Sequence, residues 1–368
     1  MVINTHMERS PLRDIALKVE KGVRLTEEDA LRLYGTNDLH ALAALADHVK
    51  TRLHGDRVFY NRNRHVDHSN LCMSGCDFCS YARPVGAEGA FELTHDEIVA
   101  KALSAASAGA TELHVVGGLH PMHPFEWYEG MLRKVRSAVP GMHLKCFTAV
   151  EIHYFTKLSG LTHREVLARL KAAGLDSLPG GGAEIFHEDV RGRACPGKAT
   201  AGEWGRVHRE AHRLGLASTA TMLYGYIEDP SHRVDHLRRL REWQDETHGF
   251  TTFIPLAYHR DRDIMPERTV RGGVGHLKNF AVARLYLDNF PHVKAYWIML
   301  GLPLTQVSLS FGVDDVDGTV GEERIYHMTG ADTPVNLPAS ELEALIRETG
   351  RIPVERDSLY REAGKGAP

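Results

Sequence analysis

Thr200-Ala-Gly-Glu203-Trp204-Gly-Arg-Val207-His-Arg-Glu-Ala211-His-Arg-Leu214-Gly215-Leu-Ala-Ser218-Thr-Ala-Thr-Met-Leu-Tyr224 contains one complete unit of the fold. Thr200 and Glu203 stand three apart, the spacing of a capping box that satisfies the first free N–H groups of a helix. Trp204, Val207, Ala211 and Leu214 then recur at helical spacing and give the helix one apolar stripe. Gly215 stands where a C′ glycine ends a helix, because it adopts positive φ without a Cβ penalty. The run Ser218–Tyr224 is short and β-rich, as expected of a parallel strand buried on both faces.

The same alternation extends outward in both directions. The other strand-like runs are His65–Leu71, Glu112–Gly118, Leu144–Thr148, Leu175–Leu178, Phe250–Leu256, Val293–Leu300 and Gln306–Phe311. Capping boxes at Thr94-x-x-Glu97 and Thr162-x-x-Glu165, and Asp229-Pro230 as an N-cap followed by proline, open helices between them. Strand–helix repetition predicts a parallel sheet with right-handed crossovers, and eight such units in about 250 residues predict a (β/α)8 TIM-type barrel. Residues 1–57 read as an N-terminal helical extension, 58–335 as the barrel, and 336–368 as a closing helix and tail.

The chain has 368 residues, 43% hydrophobic and 25% charged, with a net charge of −4, which predicts a soluble globular protein without a nucleic-acid footprint. No apolar run approaches the roughly 18 residues of a membrane span, and Met1–Asp14 lacks the apolar core of a signal peptide. Five cysteines, three of them clustered, do not form a secreted disulfide framework and point to a reducing cytoplasm.

The cluster is Cys72-Met-Ser-Gly-Cys76-Asp-Phe78-Cys79, on the loop after the first barrel strand, at the face where barrels of this kind carry their active sites. Random placement of five cysteines produces this spacing with odds of about 4 in 10,000. Three thiolates are compatible with a structural zinc completed by His68 or His65. They are also compatible with a four-cysteine electron-transfer cluster completed by Cys146 or Cys195. The third arrangement is a [4Fe-4S] cluster on three cysteines that leaves one iron open. Cys146, within a strand pattern, otherwise reads as core, and Cys195 as a free thiol.

The CxxxCxφC spacing, with Phe78 as the aromatic, resembles the radical S-adenosylmethionine (SAM) superfamily. That resemblance implies a [4Fe-4S] cluster on Cys72, Cys76 and Cys79, with SAM bound at the open iron and cleaved to a 5′-deoxyadenosyl radical. It also implies a SAM site formed by Phe78, Gly117, Gly118, Glu151 and Thr221. The glycine pair would admit close backbone approach, Glu151 would meet the ribose, and Thr221 opens the adenine-side stretch Thr221-Met-Leu-Tyr-Gly225-Tyr-Ile-Glu228. The acidic residue usual after the glycine pair is replaced by Leu119.

Longer blocks are similar to the menaquinone and deazaflavin branch of that superfamily. They are Asn63-Arg64-His65, Leu178-Pro-Gly-Gly-Gly-Ala-Glu184-Ile185-Phe186, Cys195-Pro-Gly-Lys198, Met222-Leu-Tyr-Gly225 and Phe253-Ile-Pro-Leu256. Within the branch they most resemble the futalosine-route enzymes that use an enolpyruvyl benzoate, 3-[(1-carboxyvinyl)oxy]benzoate. The resemblance implies addition of the adenosyl radical to the vinyl carbon, then rearrangement and decarboxylation, giving 6-amino-6-deoxyfutalosine on the way to menaquinone. The hydrogen-abstracting dehypoxanthinyl futalosine cyclase of the same route shares the triple-glycine block and stays a rival, as does a non-catalytic metal or iron–sulfur protein. The implied electron donor is a flavodoxin or ferredoxin, with no nucleic-acid or membrane partner. His68, Arg83, Glu184 and His259 are the expected substrate contacts, each near a strand end or the cysteine loop, since two substrate carboxylates require hydrogen-bonding or cationic partners.

Overall fold

The computed structural model describes residues 5–259, 269, 270 and 272–363, so the outermost residues of the expected N-terminal extension and C-terminal tail lie outside it. The unit read first from the sequence forms as expected. Thr200 caps the helix Ala201–Arg213 in a complete capping box, Gly215 follows at φ +74°, and the next strand runs over Ala217–Tyr224. The boxes at Thr94 and Thr162 are likewise complete, and Asp229 caps a helix with Pro230 in its first turn.

Ten strands are present among the described residues: β1 Arg57–Asn61, β2 Asn63–Asp67, β3 Glu112–Val116, β4 His143–Cys146, β5 Ser177–Leu178, β6 Ala217–Tyr224, β7 Phe250–Ala257, β8 His292–Val293, β9 Asp315–Gly318 and β10 Ile352–Glu355. Strands β2 to β8 pair in chain order, all parallel, as one curled seven-stranded sheet. A second sheet of order β10-β1-β9 lies at its open edge. Lys294, just after β8, bridges to Asp315 of β9, and the His65 N–H of β2 donates to the Val320 carbonyl just past β9. β9 thereby occupies the eighth position of the barrel.

The expected eighth strand, Gln306–Phe311, is not one. Its first residues end the helix Leu302–Ser308, and the strand that closes the barrel is β9. Alternating apolar residues over six positions also satisfy one and a half helical turns, so periodicity alone does not separate the two. Gly301 at φ +75° and Pro303 in the first turn start the helix. Of the run beginning at Val293, only Val293 lies, with His292, in β8, and Trp297–Leu300 is helical.

Alternate residues of the barrel strands face inward. On β4, Leu144 and Cys146 join the apolar core under the helices while Lys145 lines the interior. The N-terminal helices Arg13–Glu20, Glu27–Gly35 and Leu39–His54 share that core, and Tyr34 donates to Asn279 of the helix Gly273–Tyr286 at 2.6 Å. No described helix is long and apolar enough to cross a membrane.

Candidate active site

One cavity of about 350 Å³ occupies the barrel interior and opens at the strand C-terminal ends; Cys72, Cys76 and Cys79 all line it. The cysteine loop is held by its own backbone. Cys72 N–H donates to Arg83 O, Arg83 N–H to Asn70 O, and Cys79 N–H to Cys76 O. The Asn70 side chain pins Gly89 and Phe91 on the returning segment. Gly75 takes φ +65°, which turns the chain between the first two cysteines. A Cβ on Gly197 would lie 2.1 Å from Ser74 O. The Cys195-Pro-Gly-Lys198 turn therefore packs directly beneath the loop. It brings the Lys198 ammonium 5.1 Å from the Phe78 ring centre and into an ion pair with Glu184.

The glycine pair sits against the same loop. Built Cβ atoms would lie 2.4 Å from the His68 ring at Gly117 and 2.2 Å from the Leu71 carbonyl at Gly118. Leu119 N–H points at Cys72 Sγ, 3.3 Å away. Glu151 caps the helix Ala149–Ser159 through Thr148, and its Oε1 accepts the Gly117 N–H at 3.2 Å. It is buried at 2% exposure, so it is a cavity residue as well as a cap. Thr221 Oγ1 donates to Gly180 O at 2.7 Å and Thr219 Oγ1 accepts the Gly180 N–H, which ties β6 to the triple-glycine loop.

Of the expected substrate contacts, Glu184 and His259 line the cavity. Arg83 is outside its lining: its guanidinium donates to the Ser80 and Ala82 carbonyls and braces the loop. His68 is fully buried behind Gly117, edge-on to Tyr128 and Phe147, with Nε2 3.4 Å from Glu151 Oε1. Strand parity explains this: Val66 faces the helices, and His68, two residues on, faces the same way.

The donor set separates the metal readings. The cysteine sulfurs are not among the described groups whose ligand atoms all lie within 4.8 Å, whereas sulfurs around one tetrahedral zinc lie about 3.8 Å apart. His68 is turned to Glu151, and His65 lies against His114, so neither completes a zinc site. Cys146 belongs to the core on the outer face of β4. Three thiols lining one cavity beside close-approach glycines fit an iron–sulfur cluster with one open iron.

Comparison with known proteins agrees with that geometry. The Radical SAM superfamily profile matches residues 66–240, and the CofH/MqnC C-terminal region profile matches 247–365. An aminodeoxyfutalosine synthase from Thermus thermophilus is 49% identical over 352 residues, 95% of each chain. A 5-amino-6-(D-ribitylamino)uracil–L-tyrosine 4-hydroxyphenyl transferase from Methanoculleus marisnigri is 40% identical over 95% of this chain and 97% of that one. The chain belongs to the radical SAM superfamily. The crystal structure of methylornithine synthase shares the fold at TM-score 0.70 and 16% identity, covering 92% of this chain and 96% of that one.

As a radical SAM enzyme it uses a [4Fe-4S] cluster and SAM. Cluster ligation requires thiolates. Burial pushes the Cys76 thiol up, and the Lys198 ammonium and the Ser74 hydroxyl pull it back. Burial also works against the Lys198 charge, but Cys76 and Glu184 beside it win and hold the ammonium firmly protonated.

The cavity also has charged and aromatic lining beyond the sequence-predicted residues. His65, Glu112, His114, Lys145, Lys294 and Asp317 line it. Lys145 bonds Glu112 at 2.7 Å and Lys294 bonds Asp317 at 2.9 Å. The available signal was a charged residue inside an otherwise apolar strand run, which burial on both faces makes costly unless the charge is paired.

Proposed function

We propose that this enzyme joins the adenosyl group of SAM to 3-[(1-carboxyvinyl)oxy]benzoate, with rearrangement and decarboxylation, to form 6-amino-6-deoxyfutalosine for menaquinone synthesis. The observation that carries this reading is the 49% identity, along 95% of both chains, to an aminodeoxyfutalosine synthase. When bound, the cluster and SAM supply a 5′-deoxyadenosyl radical by one-electron cleavage of the sulfonium.

The protein's part is to hold, orient and keep dry. Cys72, Cys76 and Cys79 hold the cluster. Gly117 and Gly118 would let the backbone approach the methionyl group, and Glu151 would meet the ribose. Thr221 holds the triple-glycine wall, and Phe78, which lines the cavity, would contact SAM. Leu223, Ile254, Leu256, Met299 and Ile325 give the cavity apolar walls. Glu184 and His259 meet substrate from the mouth, while Arg83 and His68 act by bracing the cysteine loop and the glycine pair.

The test is an anaerobic assay of reconstituted protein with SAM, a strong reductant and the enolpyruvyl benzoate, read by mass spectrometry. The expected result is the mass of 6-amino-6-deoxyfutalosine. Free 5′-deoxyadenosine without an adduct would overturn the substrate, most directly if dehypoxanthine futalosine were cyclised instead. The 40% identity to a tyrosine 4-hydroxyphenyl transferase supports a second reading, and turnover of L-tyrosine with 5-amino-6-(D-ribitylamino)uracil would establish it.

A further inference from the structure

The barrel interior carries more charge than its fold requires. Glu112 of β3, Lys145 of β4, Lys294 after β8 and Asp317 of β9 are all at most 6% exposed and all face the cavity. Burying ion pairs costs several kcal/mol per ion before pairing, and apolar residues of similar size often serve a fold as well or better. Each lysine ammonium carries three N–H groups. Among the described residues, Lys145 directs one to Glu112 and Lys294 directs one to Asp317.

The two pairs form one cluster, not two. Each lysine charge helps hold the Glu112 carboxylate ionised, and Lys294 adds to the pressure on Lys145. Beside them lies a cluster of three aromatic rings. The His65 ring is 4.5 Å from His114 and stacked 6.2 Å from Tyr296 at an interplanar angle of 9°. Burial lowers the pKa of both histidines, so they present neutral faces. Lys145 lies three residues, about 10 Å of strand, before Thr148 at the mouth.

We propose that this floor is a subsite for an aromatic carboxylate. Lys145 and Lys294 bind the carboxylate oxygens with the N–H groups their acidic partners leave over, and the ring lies against His65, His114 and Tyr296. The assignment rests on the reading of the cavity as the substrate chamber, and it orients the proposed substrate. The benzoate end goes down to the lysines, and the vinyl end stays at the mouth, near the cysteines.

The experiment measures calorimetric binding of 3-methoxybenzoate and uncharged 3-methoxybenzamide to the cluster-loaded, SAM-bound protein without reductant. The wild type is expected to prefer the benzoate by about tenfold or more. Lys294→Met, and the paired Glu112→Gln/Lys145→Met variant, which leaves no orphan charge and guards against misfolding, are expected to erase that preference. Benzamide and SAM affinities should stay within about twofold. Persistence of the preference in both variants, or equal binding of the two ligands by wild type, overturns the subsite. A wild type that prefers benzoate but forms no adduct from 3-[(1-carboxyvinyl)oxy]benzoate would sink the proposed reaction and leave the subsite standing.

Discussion

Thr94-His-Asp-Glu97 and Thr148-Ala-Val-Glu151 are the same device at two places in the molecule. In both, a threonine accepts the N3 N–H and the N3 glutamate returns a bond to the cap. At the first, Glu97 is exposed, and among the described residues its carboxylate bonds only Thr94. At the second, Glu151 is buried; Oε2 serves the cap and Oε1 reaches across to Gly117 and His68. A motif that only starts a helix on the outside of the barrel also holds Gly117 in place at its mouth. Burial, not the motif, makes the difference.

The contrast breaks most visibly at the glutamates. Glu151→Ala should lower kcat/KM and SAM affinity by roughly ten- to hundredfold, the loss of a buried charge-assisted bond, whereas Glu97→Ala should leave turnover within about twofold. Equal effects in steady-state assays of the two variants would remove Glu151 from the site.

Acid should expose the same dependence on burial among the histidines. Burial holds His236 near a pKa of about 3 and His212 near about 4. The unfolded chain takes up these protons near pH 6.5, so the stability they contribute is complete above that pH. It is lost as pH falls toward 4, by up to about 1.4 kcal/mol per pH unit for each histidine. Urea midpoints at pH 7.5, 6 and 5 check this, and a flat profile would contradict it.

Gly117→Ala sharpens the comparison from the other partner of Glu151. Its Cβ would meet the His68 ring at 2.4 Å, so overpacking should destabilise the protein by about 1–3 kcal/mol and weaken SAM binding in the same titration. The smallest effect belongs to the caps. Thr94→Ala and Thr148→Ala should each cost about 1 kcal/mol in thermal or urea unfolding. Only the second should also reduce turnover, because it frees the Glu151 carboxylate to move.

Local spacing made much of the fold and the mouth of the site legible. The cysteine triplet, the glycine pair after β3, the triple-glycine loop and most helix starts are read within a few residues of chain. Arg83 and His68 were misassigned because nearness in sequence to the cysteines was taken for nearness to the cavity. The Arg83 guanidinium turns back to its own loop, and strand parity counted from His65 places His68 outward. The six alternating residues of Gln306–Phe311 suit either period, and Gly301 with Pro303 starts a helix that takes in the first three.

By itself the sequence determined the order of strand and helix, the cysteine triplet and the glycine pair that packs against its loop, all properties of neighbouring residues. Only the tertiary structure decided that Glu112, Lys145, Lys294 and Asp317 share one chamber, that β9 closes the barrel, and that one of two identical caps reaches the site. Those outcomes depend on how the sheet curls. The curl brings together strands separated by up to about 250 residues, and no local pattern encodes the few ångströms between a lysine on one strand and a carboxylate on another.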